Sequence, residues 1–255
     1  MAKQAGGAWL VTGAASGFGR EFARRLSARG ETLILWDLDE SGLESTSREL
    51  GGRVLTQNVD VRSPEAVHAA AEEARAFASV GHVITSAGVL RVGPAEDVMA
   101  ADYRQMIEVN YLGTVHVAQA FLPDLRRAAG RSTLLFVASV AGLRGFPELA
   151  GYSASKFAVL GFAQALRDEL VHSKVDLRVL CPPPADTPMV RNLQYRPPVY
   201  RLSRLFSAEE IVAETLAKLD RRGFVILIDT TSKALWRVAR TAPQIVDFIV
   251  QRTAR

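Results

Sequence analysis

Short apolar runs recur along the chain, each separated from the next by a longer stretch in which apolar residues return every three or four positions. The runs at 8–12, 32–36, 54–58, 82–85, 133–138, 175–180 and 224–228 predict strands, and the intervals between them predict amphipathic helices. Trp9-Leu10-Val11 and Leu33-Ile34-Leu35-Trp36 are apolar at every position rather than at alternate ones, as strands covered on both faces are. Regular strand–helix alternation predicts an α/β fold: a doubly wound parallel sheet of about seven strands with helices on both faces. No internal repeat exists beyond this alternation.

A chain of 255 residues with 48% hydrophobic content is long enough for one buried core, so residues 1–255 are expected to form a single domain. Cys181 is the only cysteine, which rules out an intrachain disulfide and fits a reducing compartment. The first strand starts within about eight residues of Met1, leaving no room for a secretory signal, and no apolar run approaches the roughly 18 residues of a spanning helix. A cytoplasmic location is expected, with peripheral membrane contact left open. Net charge is +4 and unevenly spread: residues 1–188 carry 19 basic and 21 acidic side chains, residues 189–255 carry 12 and 6. A nucleic-acid role is not expected, because no recognised nucleic-acid module accompanies the basic residues.

Candidate chemistry sits at two places. After the first strand, Gly13-Ala14-Ala15-Ser16-Gly17-Phe18-Gly19 leads into a helical pattern, an order that lets backbone approach a pyrophosphate at a helix N-terminus. Asp37 follows the last of these glycines by 18 residues at the end of the second strand, where a ribose hydroxyl contact calls for an acid. Farther on, Tyr152 and Lys156 are spaced to share one helical face. An adjacent cation is one way to make a phenol acidic, and Lys156 is expected to lower the pKa of Tyr152. Ser139 closes the apolar run Leu134–Ala138, a place from which a hydroxyl can polarise a carbonyl.

Thr12-Gly13-x-x-x-Gly17-x-Gly19 together with Ser139, Tyr152 and Lys156 resembles the short-chain dehydrogenase/reductase family over nearly the whole chain. The resemblance implies a Rossmann-type fold and hydride transfer between a nicotinamide cofactor and a secondary alcohol or ketone. It implies catalytic roles for Asn110, Ser139, Tyr152 and Lys156. Cofactor contacts are implied for Gly13, Ser16, Gly17, Phe18, Gly19, Asp37, Asp60, Val61, Ala87, Gly88, Tyr152, Lys156 and Thr187. Within that set, Tyr152 exchanges the hydroxyl proton, Ser139 holds the substrate oxygen, Lys156 binds the nicotinamide ribose and Asn110 helps hold a water chain. No metal is implied. Asp37 would repel a 2′-phosphate, and neither Ser16 nor Leu38 offers a cation, so NAD is expected over NADP. Homodimers or homotetramers are implied, pairing through roughly 102–129 and 151–172.

Two stations depart from the family pattern. Thr85-Ser86-Ala87-Gly88 stands where Asn-Asn-Ala-Gly is usual, so bracing would have to come from hydroxyls. Cys181-Pro182-Pro183-Pro184-Ala185-Asp186-Thr187-Pro188 stands where Pro-Gly is common, which stiffens the backbone. This second segment is similar to the 3-ketodihydrosphingosine reductase branch, which implies the alternative of sphingoid or 3-oxoacyl ketone reduction with NADPH. The leading expectation is a bulky, hydrophobic, lipid-like substrate; a non-catalytic NAD(H)-binding regulatory or scaffold protein is the rival. An epimerase or dehydratase of the extended branch is disfavoured by length.

The expected substrate lid, 189–206, contains Arg191, Arg196, Arg201 and Arg204 and no acid, interleaved with Leu193, Tyr195, Val199, Tyr200, Leu202 and Leu205. These arginines either face water or attract an anionic group of a substrate or membrane. The tail, 232–255, places Lys233, Trp236, Arg237 and Arg240 before Pro243, and then Ile245, Val246, Phe248, Ile249 and Val250 before Arg252 and Arg255. Three destinations stay open for it: a membrane surface, the lid, or a sister subunit.

Overall fold

The computed structural model describes residues 7–201, 204–219, 221 and 223–253. Leu202 and Arg255, and the side chain of Arg201, lie outside the described residues.

Continuous apolar runs become the strands of one parallel sheet: β1 (Ala8–Thr12), β2 (Leu33–Asp37), β3 (Val54–Asn58), β4 (Val80–Thr85), β5 (Ser132–Val137) and β6 (Val175–Leu180). The last strand of that sheet is Val225–Ile226, here called β9, because a separate two-residue ladder, β7 (Ala185–Asp186) with β8 (Phe206–Ser207), precedes it. Strand order is β3-β2-β1-β4-β5-β6-β9. Alternate residues of each central strand enter opposite cores. Leu10, Ile34, Trp36, Leu134 and Phe136 pack on one face, and Val11, Leu33, Leu35, Leu135 and Val137 on the other. The first face is covered by α3 (Pro64–Phe77), α5 (Gly113–Arg127) and α6 (Ala150–Glu169), the second by α1 (Gly17–Ser27), α2 (Glu40–Arg48) and α8 (Ala208–Leu219).

Strand order reverses between β1 and β4, and in open α/β sheets a ligand crevice forms outside the carboxyl ends of strands at such a point. The remaining α-helices are α4 (Ala100–Met106), α7 (Pro188–Arg191), α9 (Thr230–Thr241) and α10 (Pro243–Thr253), the last two packed on each other. No helix among the described residues is long and apolar enough to cross a membrane.

β9 is shorter than the expected 224–228. Only Val225 and Ile226 pair with β6, and the buried Arg178 of β6 takes the neighbouring carbonyls of Gly223 and Arg221 with its guanidinium. Cys181 is buried in the first core, and that environment pushes its thiol up to about 12.

β4 also carries a liability. His82 is 1% exposed, stacks on Trp9 at 4.2 Å and has no hydrogen-bond partner at either ring nitrogen. Desolvation lowers its pKa from 6.5 to about 4. The unfolded chain therefore binds a proton that the folded one refuses, and stability falls as pH drops from 6.5 to about 4. The expected loss is roughly 3 kcal/mol. In urea titrations across that window, His82→Phe, which keeps a ring against Trp9, should flatten the pH dependence; an unchanged slope would remove His82 as its cause.

Candidate active site

The crevice starts from backbone geometry. Gly13 ends β1 at φ +69°, and a Cβ there would stand 2.8 Å from the Ala87 nitrogen beyond β4. Gly19, in the first turn of α1, passes so close that a Cβ would lie 2.1 Å from the Gly13 carbonyl oxygen. Ser16 precedes α1 without capping it, and no acidic residue stands in its first turn. First-turn N–H groups and the positive end of the helix are thus available to an anion. At the end of β2, Asp37 accepts hydrogen bonds from the Ala15 nitrogen at 2.9 Å and the Asp39 nitrogen at 3.0 Å, which fixes it at the cleft wall.

Gly13, Ser16, Gly17 and Asp37 line a cleft of about 290 Å³ together with Phe18, Asp60, Val61, Ala87, Gly88, Tyr152, Lys156 and Thr187. Thr187 lies over Gly17, where a Cβ would meet its side chain at 3.8 Å. Of the sequence-predicted cofactor residues, Gly19 does not line this cleft; its part is the close packing of α1 on the Gly13 carbonyl. Arg62 clamps the Asp60 carboxylate at 2.6 Å and holds it below the usual carboxylate range. At the β4 end, the Thr12 hydroxyl accepts from the Ser86 and Ala87 nitrogens, both at 3.1 Å. The expected hydroxyl brace exists, but β1 supplies it, and the Thr85 hydroxyl is buried without a partner. In the proline run, the Pro182 and Pro184 carbonyls accept from the Val140 and Phe206 nitrogens at 3.1 Å each.

Tyr152 and Lys156 lie one turn apart on α6, with the Lys156 ammonium 5.7 Å from the Tyr152 ring centroid. The ammonium donates to the Val137 carbonyl at 3.0 Å, and burial brings its pKa down to about 8. The Tyr152 phenol moves the other way. Burial pushes it well above its ordinary value, with Tyr200 adding to that push and the Ser139 hydroxyl opposing it. Desolvation, the largest cause, sets the upward direction, and the expected acidification by Lys156 does not appear in it.

Asn110 sits in a π-helical turn, Ile107–Leu112, between α4 and α5. Its side-chain oxygen accepts from the Val89 nitrogen at 2.7 Å, and its amide donates to the Val89 carbonyl at 3.0 Å and to the Ser155 hydroxyl at 2.9 Å. Ser155 in turn donates to the Tyr152 carbonyl at 2.7 Å. The asparagine therefore ties the segment after β4 to the helix bearing Tyr152. Ser155 was not recognisable from sequence, since its partner is 45 residues away.

Beyond Tyr152 lies a second space, a small chamber of about 70 Å³ that Ser139, Tyr152 and Tyr200 share with Leu90, Phe146, Leu149, Val190 and Val199. Leu90 and Met189 also border an open groove of about 490 Å³ that runs to Tyr195. The sequence shows Tyr200 only as a lid aromatic; nothing local marks it as a neighbour of Tyr152. Among the described residues, Arg191, Arg196 and Arg204 do not line the chamber, although Arg196 is close enough to Tyr200 to act on its phenol. Arg191 pairs with Asp186 at 3.5 Å, Arg204 pairs with Glu210 at 2.9 Å, and Arg196 is exposed.

The sequence model described as "short chain dehydrogenase" matches residues 8–197. The chain is similar to the putative oxidoreductase SadH of Mycobacterium tuberculosis, at 36% identity over 189 residues, covering 72% of this chain and 68% of that protein. Its fold matches a short chain dehydrogenase/reductase from Burkholderia phymatum in complex with NAD, with TM-score 0.86, 26% identity and 96% of each chain covered. It also matches a short chain dehydrogenase from Burkholderia cenocepacia in complex with NADP, with TM-score 0.82, 26% identity, and 96% of this chain and 97% of that one covered.

Proposed function

Because the chain belongs to the short-chain dehydrogenase/reductase family, whose members are nicotinamide-dependent oxidoreductases of alcohols and ketones, we propose that it exchanges a hydride between NAD and a secondary alcohol or ketone on a bulky, lipid-like molecule. One observation carries this reading: Tyr152 borders both the cleft at the sheet's switch point and the apolar chamber beside it. A phenol in that wall is shared by whatever fills the two spaces.

The cleft fits a dinucleotide. Gly13, Ser16, Gly17, Phe18 and Gly19 would hold the pyrophosphate, Asp37 the adenosine ribose, Asp60 and Val61 the adenine, and Ala87, Gly88, Lys156 and Thr187 the nicotinamide end. When bound, the nicotinamide supplies or accepts the hydride. Ser139 holds the substrate oxygen and Tyr152 exchanges its proton. The Tyr152 phenol carries its proton at neutral pH, the form that can donate to a carbonyl oxygen. Asn110, through Ser155, positions the turn of α6 that carries Tyr152.

Charge supports NAD over NADP. Asp37 stands where a 2′-phosphate would come, Leu38 beside it is uncharged, and Arg20 is held by Glu49. Asp37→Asn keeps the shape and removes the charge. Relief of a partly screened repulsion worth about 1–3 kcal/mol should narrow the NADH-over-NADPH preference about 10- to 100-fold. Fluorescence titration of both forms with both cofactors measures this, and a wild type that binds NADPH more tightly than NADH would sink the preference.

The lipid-like substrate is supported by the chamber lining, where apolar side chains, Leu90, Phe146, Leu149, Val190 and Val199 among them, surround the hydroxyls of Ser139, Tyr152 and Tyr200. The chamber is small in this conformation, so a long molecule must extend past Leu90 and Met189 into the open groove. No described lid arginine lines it, which removes the main support for an anionic headgroup there. A homo-oligomer pairing through 102–129 and 151–172 agrees with the exposed Leu112 and Phe157 on those segments; a monomer in sedimentation equilibrium would contradict it.

A further inference from the structure

Past the matched region 8–197, the chain ends in the helix pair α9 and α10. Their inward side chains answer part of the open question about the tail. Val246 and Val250 are 4% and 5% exposed and join Leu90, Phe146, Leu149 and Val199 in a core of their own, with Leu235 and Val238 of α9 packed against it. Arg144, in the segment between β5 and α6, adds an ion pair to Asp247 at 2.8 Å. The tail thus packs against the lid region.

That packing uses only one face of α10. Ile245, Phe248, Ile249 and Arg252 follow the i, i+3, i+4, i+7 spacing of a second stripe, and its apolar members are 55%, 60% and 50% exposed. Charge then selects what can cover this stripe. Lys233, Arg237, Arg240 and Arg252 are exposed and make no ion pair among the described residues, whereas Arg191 and Arg204 of the lid do. Asp247, the one acid in 230–253, is taken by Arg144. Arg240 and Arg252 lie over the rings of Trp236 and Phe248, each at 5.3 Å, so their charges stay on the surface beside apolar area. Helices that show cations without an ion pair among the described residues, an apolar stripe and no free carboxylate are complementary to a surface that is anionic outside and apolar beneath. A second copy paired through these same helices would bring like charges together instead.

We propose that α9 and α10 dock this protein on an anionic lipid bilayer, with Ile245, Phe248 and Ile249 entering the headgroup–acyl boundary and the four cations meeting lipid phosphates and carboxylates. Docking would put the lid region next to the lipid phase. The inference stands apart from the cofactor and substrate readings.

Co-sedimentation of the full chain with vesicles tests it. Phosphatidylcholine vesicles containing about one third phosphatidylserine should carry the protein down, pure phosphatidylcholine should carry little, and added salt should release it. Replacing Lys233, Arg237, Arg240 and Arg252 together by Gln should weaken the partition at least about 100-fold, at several-fold per cation. Ile245→Ser with Phe248→Ser and Ile249→Ser should weaken it similarly, and both variants should bind NADH like the wild type, which reports an intact fold. Failure of the wild type to sediment with the anionic vesicles would overturn the proposal. So would an undiminished partition of the Gln variant, or variants that split a dimer in sedimentation equilibrium without changing lipid binding.

Discussion

Tyr152→Phe should lower turnover by about 10²- to 10⁴-fold while leaving NADH affinity unchanged, because the substitution removes one hydroxyl and almost no volume. The hydroxyl lies between Ser139 and Tyr200 at the chamber wall, buried, with its pKa raised chiefly by that burial. A positioned phenol still holding its proton is ready to protonate a carbonyl oxygen. In the opposite direction it must first lose that proton, so alcohol oxidation should gain rate as pH rises through the alkaline range, and ketone reduction should not. Steady-state kinetics in both directions, with NADH titration of the variant, checks both parts. Retention of more than about a hundredth of the wild-type rate would remove Tyr152 from the proton-transfer step.

Gly19→Ala should damage both the cofactor cleft and the fold. A methyl group at residue 19 would lie 2.1 Å from the Gly13 oxygen and 2.6 Å from its carbonyl carbon. Both are backbone atoms, so no side chain can swing away, and α1 or the turn before it must move. Overpacking of this kind costs typically 1–3 kcal/mol, which in a chain of this size lowers the melting temperature by roughly 2–4 °C per kcal/mol. The larger effect falls on binding, since moving the N-terminus of α1 misplaces the N–H groups meant for the pyrophosphate. We expect NADH affinity to fall about 100-fold or more, an effect of about 3 kcal/mol. Gly30→Ala is the matched control: Gly30 lies on an exposed turn where a Cβ meets nothing within 4 Å, although its φ of +76° adds local strain. That control should cost some stability and no NADH affinity, and equal affinity loss in both variants would mean that the glycine turn has no special part in binding.

The sheet was readable from the chain because its strands are covered on both faces, so that Leu10 and Val11, or Leu134 and Leu135, are apolar although they point into different cores. The cofactor path was readable for a related reason. Gly13 follows the first strand, Gly19 sits in the first turn of the helix after it and Asp37 ends the second strand, a contiguous β-α-β stretch where spacing along the chain is also spacing in the fold. Other features depended on partners far off in sequence. Ser155 matters through Asn110, and Tyr200 through Tyr152. The lid arginines looked unpaired because 189–206 holds no acid, yet Asp186 and Glu210 stand just outside that window and take Arg191 and Arg204. The direction of the Tyr152 shift follows the same rule: a lysine four residues away is visible in sequence, and the desolvation of both groups is not.

The most direct test of the central claim is NADH oxidation by the wild-type protein over a panel of ketones, from small polar ones to long-chain 3-keto compounds, retinal and ketosteroids. Saturable turnover with NADH, with kcat/KM rising as the apolar part of the ketone grows, is the predicted result. Tight NADH binding without turnover of any carbonyl, or turnover confined to small polar ketones, would contradict it.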